Sequence, residues 1–501
     1  MNRLLAILLL CLPLAAQSPN PNDKIRRHIE QNQGRILAEF SELLKLENVA
    51  NNSPKGHADI QRNADHIVGM LVKRGLTAKV LNVDGGFPAV YGEWLTPGAS
   101  KTVVFYAHFD GQPVDPTKWK TPPFEPTLIN DKGVVLPRFW PGAVPNGNED
   151  WRLYARGSSD DKGGVMGLIA AIDALKATKT VPSVNLKFFF EGEEETGSPH
   201  LSRILEKHKD LLKSDLWILC DGPIHQSGKL QLVYGARGSI GLELTVFGPN
   251  RALHSGHYGN WAPNPALDLA HLLASMRDKN GRITIEGFYD DVLRPTAEEE
   301  KALAAFPDVD SALKKELQLS RTLGGARIER SVMEPALNIR GIRAGNVGES
   351  ATNSIMTEAS ASIDFRLVPD QTPEKVKELV ESHLRRQGYA INRGTWYPFS
   401  HVAKLIWQPG YPPTRTSFDA PAAQAMHRTI EAAFPDLYKN AKSSLLRLPT
   451  LGGSVPMHLF EQQFNVPAMI LPIANYDNNQ HASNENIRLG NLWQGIELYA
   501  A

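Results

Sequence analysis

Cysteine is nearly absent: the 501-residue chain holds two, Cys11 and Cys220. A disulfide framework is excluded, so the fold must rest on core size and bound groups. Charge of either sign in excess is also missing. Lys+Arg and Asp+Glu each number 54. That leaves no basic surplus of the kind nucleic acid or an anionic membrane selects. The apolar run at the N-terminus, Leu4 to Leu14, is shorter than the ~20 residues of a spanning helix. Arg3 precedes it, and Ala15, Ala16 and a polar Pro/Asn stretch follow. It reads as a signal peptide over residues 1–18, with a short N-terminal anchor as the alternative. Leu8, Leu9 and Leu10 before Cys11 are not the small residues of a lipoprotein signal. The expectation is an exported protein, periplasmic or secreted, with no membrane attachment once the signal is removed. The length suits two domains, or one with an insertion, and 42% hydrophobic with 22% charged residues is ordinary for a soluble globular chain.

What is present is a series of apolar strands that end in polar, metal-binding residue types. Residues 24 to 46 and 58 to 75 show helical spacing of apolar residues, and LTAKVLNV and AVYGEW are short strands. Thr102 to Ala107 is a buried-strand pattern ending at His108-Phe-Asp110. An imidazole can ligate a metal while a nearby carboxylate fixes its tautomer, though a His-x-Asp pair alone can be incidental. Arg156-Gly-Ser-Ser-Asp160-Asp161-Lys-Gly-Gly164 then opens a helix. Its acids can be helix caps, ligands or both, and Asp160 is the candidate for a carboxylate shared by two metal ions. The flanking glycines point to close approach or unusual dihedrals. Val184 to Phe190 is a strand that runs into Glu191-Gly-Glu193-Glu194-Glu195, either a solvated acidic turn or a cation site. Asp215 to Cys220 is a strand that ends at Asp221. Four segment ends thus deliver His108, Asp160, Glu194/Glu195 and Asp221, and open α/β sheets bind ligands beyond the carboxyl ends of their strands.

The pattern changes after Gly238. Gly241 to Phe247 and Ile355 to Val368 alternate, and Asn264 to Met276 and Pro373 to Gln387 are helical. A small α+β sandwich is predicted over 237–398, inserted between catalytic parts at 19–236 and 399–501. His254-Ser-Gly-His257 and Arg366 are its polar features, and both also fit a plain surface role. The last part carries Leu451-Gly-Gly-Ser454, a strand at Val466 to Leu471, and His481 near the start of a final helix.

HFDGQPVD, ARGSSDDKGG, EGEEETGS, CDGP, HSGHYG, IDFRLVPDQ, LGGSVP and NQHASNENI occur in this order. Over residues 30 to 500 the chain resembles the di-zinc exopeptidase and deacylase family of carnosinase-like dipeptidases, glutamate carboxypeptidases and acetylornithine deacetylases. It most resembles the dipeptidase branch. The resemblance implies a mostly parallel α/β catalytic domain with an inserted α+β lid and dimerisation domain. It implies two Zn2+ per chain, with Mn2+ or Co2+ as alternatives. One ion would take His108 and Asp221, the other Glu195 and His481, with Asp160 bridging and a cis Asp160–Asp161 peptide. Asp110 would hold His108, and Glu194 would be the general base for a di-zinc-bound hydroxide. His254 would reach a partner subunit's site, and Arg366, Asn353 and Ser454 would bind the substrate's carboxylate end. The implied reaction is hydrolysis of dipeptides or short peptides with a free C-terminus, in a homodimer joined through the inserted domain. An N-acyl amino-acid deacylase on the same site is the alternative. A binding protein that has lost catalysis is disfavoured, because all five ligands and Glu194 are present.

Overall fold

The computed structural model describes residues 22–136, 144–145, 147–392, 400–435 and 445–501. The expected signal peptide and the expected domain boundary at 398/399 lie outside these residues. The fold is mixed α/β around an eight-stranded sheet. Its centre is Thr102–His108, paired in parallel with Asn185–Glu191 on one side and Leu216–Leu219 on the other. Ala468–Ile470 extends the parallel run beyond Leu216–Leu219. Thr77–Leu81 and Ala89–Trp94 close one edge in antiparallel pairing.

These strands carry apolar side chains on both faces because both faces are covered. Phe188 and Phe190 enter the layer beneath the helices Asn22–Leu44, Pro54–Lys73, Lys162–Ala177 and Leu489–Ala500. Phe189 enters the opposite layer with Tyr106 and Trp217, under the helices Leu201–Lys207 and Met457–Phe464. Full burial of one such ring stabilises by about 1.5–3 kcal/mol, so the strands are held firmly. Firm strands make firm ends, and His108 is the last residue of the central one.

A second, five-stranded sheet holds Gly238–Phe247 between Glu358–Leu367 and Val402–Trp407. In Glu358–Leu367 the expected alternation is present: Ala359, Ala361, Ile363, Phe365 and Leu367 are buried. They pack in one core with the helices Pro265–Met276 and Pro373–Arg386. Val402–Trp407 belongs to this sheet, although it follows residue 398. Ala336–Arg343 is a further strand, along the edge, that the sequence pattern does not predict. The charged stretch 288–330 folds as short helices, Ala297–Ala304, Asp310–Glu316 and Ile328–Ser331. Among the described residues no helix is long and apolar enough to cross a membrane.

Candidate metal centre

Two sets of metal-donor atoms meet on one carboxylate. His108, Asp160 and Asp221 form one set, and Asp160, Glu195 and His481 the other; within each set the donor atoms lie within 4.8 Å of one another. His108 Nε2 is 3.1 Å from Asp160 Oδ1 and 3.9 Å from Asp221 Oδ2. His481 Nε2 is 3.1 Å from Asp160 Oδ2 and 3.2 Å from Glu195 Oε2. Asp160 therefore turns one oxygen to each set.

Local structure explains each position. His108 and Asp221 sit at or just beyond the ends of adjacent parallel strands. Asp160 precedes the helix Lys162–Ala177, and Asp161 caps that helix through the Gly164 N–H at 3.2 Å. The second oxygen of Asp161 accepts the His108 N–H at 3.3 Å. The Asp160–Asp161 peptide is cis. Gly157 is needed for its left-handed backbone, φ 79°. Gly164 is needed for space: a Cβ there would lie 2.5 Å from the Cys220 carbonyl oxygen.

Asp110 is fully buried and ties two of the donor segments together. One oxygen is 3.4 Å from His108 Nδ1, and the two accept the Glu194 and Glu195 N–H groups at 3.1 and 3.0 Å. Gln112, a residue the sequence reading passed over, donates to Glu195 Oε2 at 2.7 Å. Its signal was its place in the HFDGQ run, four residues after His108. Glu193 points away from the cluster, and its carboxylate accepts from Phe87 and His200.

Electrostatics fit a cation site. Burial pushes the Asp221 carboxyl up to about 6, with Asp160 and Glu195 adding and His108 opposing. Burial also drives Glu194 well above its ordinary value, against the pull of His108. Hydrogen bonds to Asp160 and Glu195 push His481 up to about 10. Four carboxylates this close repel one another, and divalent cations relieve that repulsion. One imidazole nitrogen and two carboxylate oxygens per set is a donor mix that zinc accepts. The first set is buried, whereas the His481 side chain is 55% exposed, so a substrate can enter on that side.

His481 does not stand at a helix start, as the sequence suggested. It lies in a turn with left-handed backbone at Asn479, His481 and Asn484. The strand Asn486–Arg488 follows, and only then the helix Leu489–Ala500. Arg366 and Ser454 are brought together, with Arg366 Nη1 donating to Ser454 Oγ at 2.9 Å. His254 and Asn353 are also neighbours: Asn353 O accepts the Ser255 N–H at 2.9 Å. Both are exposed, and none of their described contacts reaches the carboxylate cluster.

A largely parallel sheet with two metal-donor sets gathered beside its strand ends is the arrangement of a metal-binding α/β protein. Residues 104–501 match the model of peptidase family M20/M25/M40. The chain belongs to that family and is a metallopeptidase. It is 28% identical over 503 residues to a Cys-Gly metallodipeptidase of Schizosaccharomyces pombe, covering 95% of this chain and 96% of that protein. It is 26% identical to the Beta-Ala-His dipeptidase of Homo sapiens, covering 99% and 96%. The M20 family metallo-carboxypeptidase from Sulfolobus solfataricus superposes with a TM-score of 0.74 at 29% identity, covering 93% and 97%.

The expectation of export is corrected. The chain is similar over most of its length to Cys-Gly metallodipeptidases of two yeasts. Residues 1–18 lie outside the described residues, and the described chain opens on the helix Asn22–Leu44. The expectation rests only on residues 1–18, namely Arg3, the apolar run Leu4 to Leu14 and the small residues after it, and export is withdrawn.

Proposed function

We propose that the chain hydrolyses dipeptides or short peptides with a free C-terminal carboxylate, using two metal ions. The observation that carries this is the pair of donor sets meeting on Asp160. His108, Asp160 and Asp221 would hold one ion, and Asp160, Glu195 and His481 the other. Two zinc ions held there would lower the pKa of a water toward ~7 and polarise a carbonyl oxygen. Manganese or cobalt could serve the same donor set.

The protein's own residues do the rest. Glu194 is the general base: it takes a proton from the attacking water and returns it to the departing amine. Asp110 keeps Glu194 in place through its backbone and His108 through its ring. Arg366 offers a planar pair of donors suited to the substrate's carboxylate, and Ser454 lies against it. Asn353, the neighbour of His254, would assist at the carboxylate end of the partner subunit's site. His254 stabilises the oxyanion of the partner subunit's site, which makes the working form a homodimer joined through the second sheet region. His254 is exposed and none of its described contacts reaches the carboxylate cluster of its own chain, which supports that assignment. The corresponding domain plan is a catalytic body interrupted by an insertion that begins near residue 237 and includes Val402–Trp407.

The test is a panel of dipeptides, tripeptides and N-acetyl amino acids, run with wild type and Glu194→Gln. Dipeptides should be cleaved, and Glu194→Gln should lose at least ~10²-fold in kcat while retaining its metal. Retained hydrolysis in that variant removes Glu194 as the base. Turnover of N-acetyl amino acids alone moves the chain to the deacylases.

A further inference from the structure

Glu485 has no place in the roles assigned so far, yet it is fully buried beside the metal donors. One of its oxygens accepts from Arg156 Nη1 at 2.8 Å and the Gly157 N–H at 2.9 Å. The other accepts from the Ser159 N–H at 2.9 Å, Ser159 Oγ at 3.0 Å and the Asp160 N–H at 3.0 Å. Arg156 reaches back as well, donating from Nη2 to the Ala482 carbonyl at 3.2 Å. The segment that ends in Asp160 is thereby stitched to the segment that carries His481, some 325 residues later.

The other donors have different supports. His108 and Asp221 are set by core strands, and Glu195 by Asp110 and Gln112. Asp160 has a second anchor through Asp161 and the helix that it caps. His481 depends on a turn, with a left-handed backbone and a half-exposed ring. We propose that Glu485, with Arg156, is a positioning clamp. It fixes the distance from Asp160 to His481 and so sets the affinity of the second metal position. This rests on the two-metal reading given above.

Glu485→Gln keeps the side chain's size. Its amide must turn an NH2 toward N–H donors on one side or the other, so one set of hydrogen bonds is lost. Metal-stripped wild type, titrated calorimetrically with Zn2+, should take two equivalents. Glu485→Gln should keep one tight equivalent and bind the second at least ~10-fold more weakly. Its kcat should fall with KM within about twofold, and excess Zn2+ should restore kcat, because the clamp touches no substrate. Arg156→Lys, which keeps the charge but loses the fork to Ala482, should weaken the same second equivalent to a smaller extent. Two equivalents at unchanged affinity in Glu485→Gln overturn the clamp alone. So does equal loss of both equivalents, which marks a purely structural residue. If Glu485→Gln does not fold, an unchanged second equivalent in Arg156→Lys overturns it instead. A wild type that takes a single equivalent overturns the two-metal reading and the clamp with it.

Discussion

Replacing Asp110 by alanine removes one carboxylate that serves three groups. It accepts the Glu194 and Glu195 N–H groups at 3.1 and 3.0 Å and lies 3.4 Å from His108 Nδ1. Each N–H left without an acceptor costs about 1–3 kcal/mol, so the two together cost about 2–6 kcal/mol. Alanine keeps the Asp110 backbone carbonyl, 3.2 Å from His108 Nδ1, but loses the carboxylate beside it, so metal affinity falls by about 10-fold, the low end of the usual range. Asparagine keeps one acceptor oxygen and sets an NH2 against the other N–H, so roughly half of the stability loss is expected. The assay is urea unfolding of the metal-stripped protein, followed by zinc titration of the same samples. Stability and affinity should both fall in the order wild type, Asp110→Asn, Asp110→Ala. An alanine variant within ~1 kcal/mol of wild type and with unchanged zinc affinity refutes the claim that Asp110 organises both ligand segments.

Arg366→Ala should raise KM for dipeptides by about 10–100-fold and change kcat far less, since a charged hydrogen bond to a carboxylate contributes about 1.5–3 kcal/mol. An unchanged KM would place the carboxylate pocket elsewhere. Glu461 gives a pH prediction away from the metal donors. Burial pushes its carboxyl from 4.5 up to about 7. Between those values the folded state holds a proton that the unfolded state has released, so stability falls as pH rises through that window and levels off above it. Glu461→Gln removes the effect. Its advantage over wild type in unfolding free energy should be small at pH 4.5 and about 3 kcal/mol at pH 8. Equal advantages at both pH values would mean that Glu461 ionises normally.

The parts legible in the sequence were those whose signal is local. Val103 to Ala107 and Phe188 to Phe190 are apolar in unbroken runs because both faces of the central sheet are covered. Glu358–Leu367 alternates because helices cover only one of its faces. His108, Glu195 and Asp221 were visible because they follow core strands, and Asp160 because it stands just before the helix Lys162–Ala177. Ala336–Arg343 gave no signal, since most of its residues are exposed along a sheet edge and burial dictates few of them. Asn486–Arg488 is a three-residue strand that exists only by pairing with Arg152–Tyr154. Without that pairing in view, His481 read as the start of a helix. Glu485 was hidden for the same reason, because the donors that explain its burial come from the other half of the chain. The pairing of Arg366 with Ser454 joins a strand of the second sheet to the loop before the helix Met457–Phe464 and has no local trace at all.

Metal content measured together with Asp160 replacement is the most direct test of the shared carboxylate. Asp160 Oδ1 faces His108 and Oδ2 faces His481, so one side chain serves both donor sets. Elemental analysis of wild type after dialysis should give two divalent ions per chain. Asp160→Ala should retain fewer than one and lose hydrolysis, while Asp161→Ala, which loses the helix cap and the acceptor of the His108 N–H, should retain more metal than Asp160→Ala and lose stability by about 1.5–5 kcal/mol. Two ions retained in Asp160→Ala would contradict the bridging role on which the proposed mechanism stands.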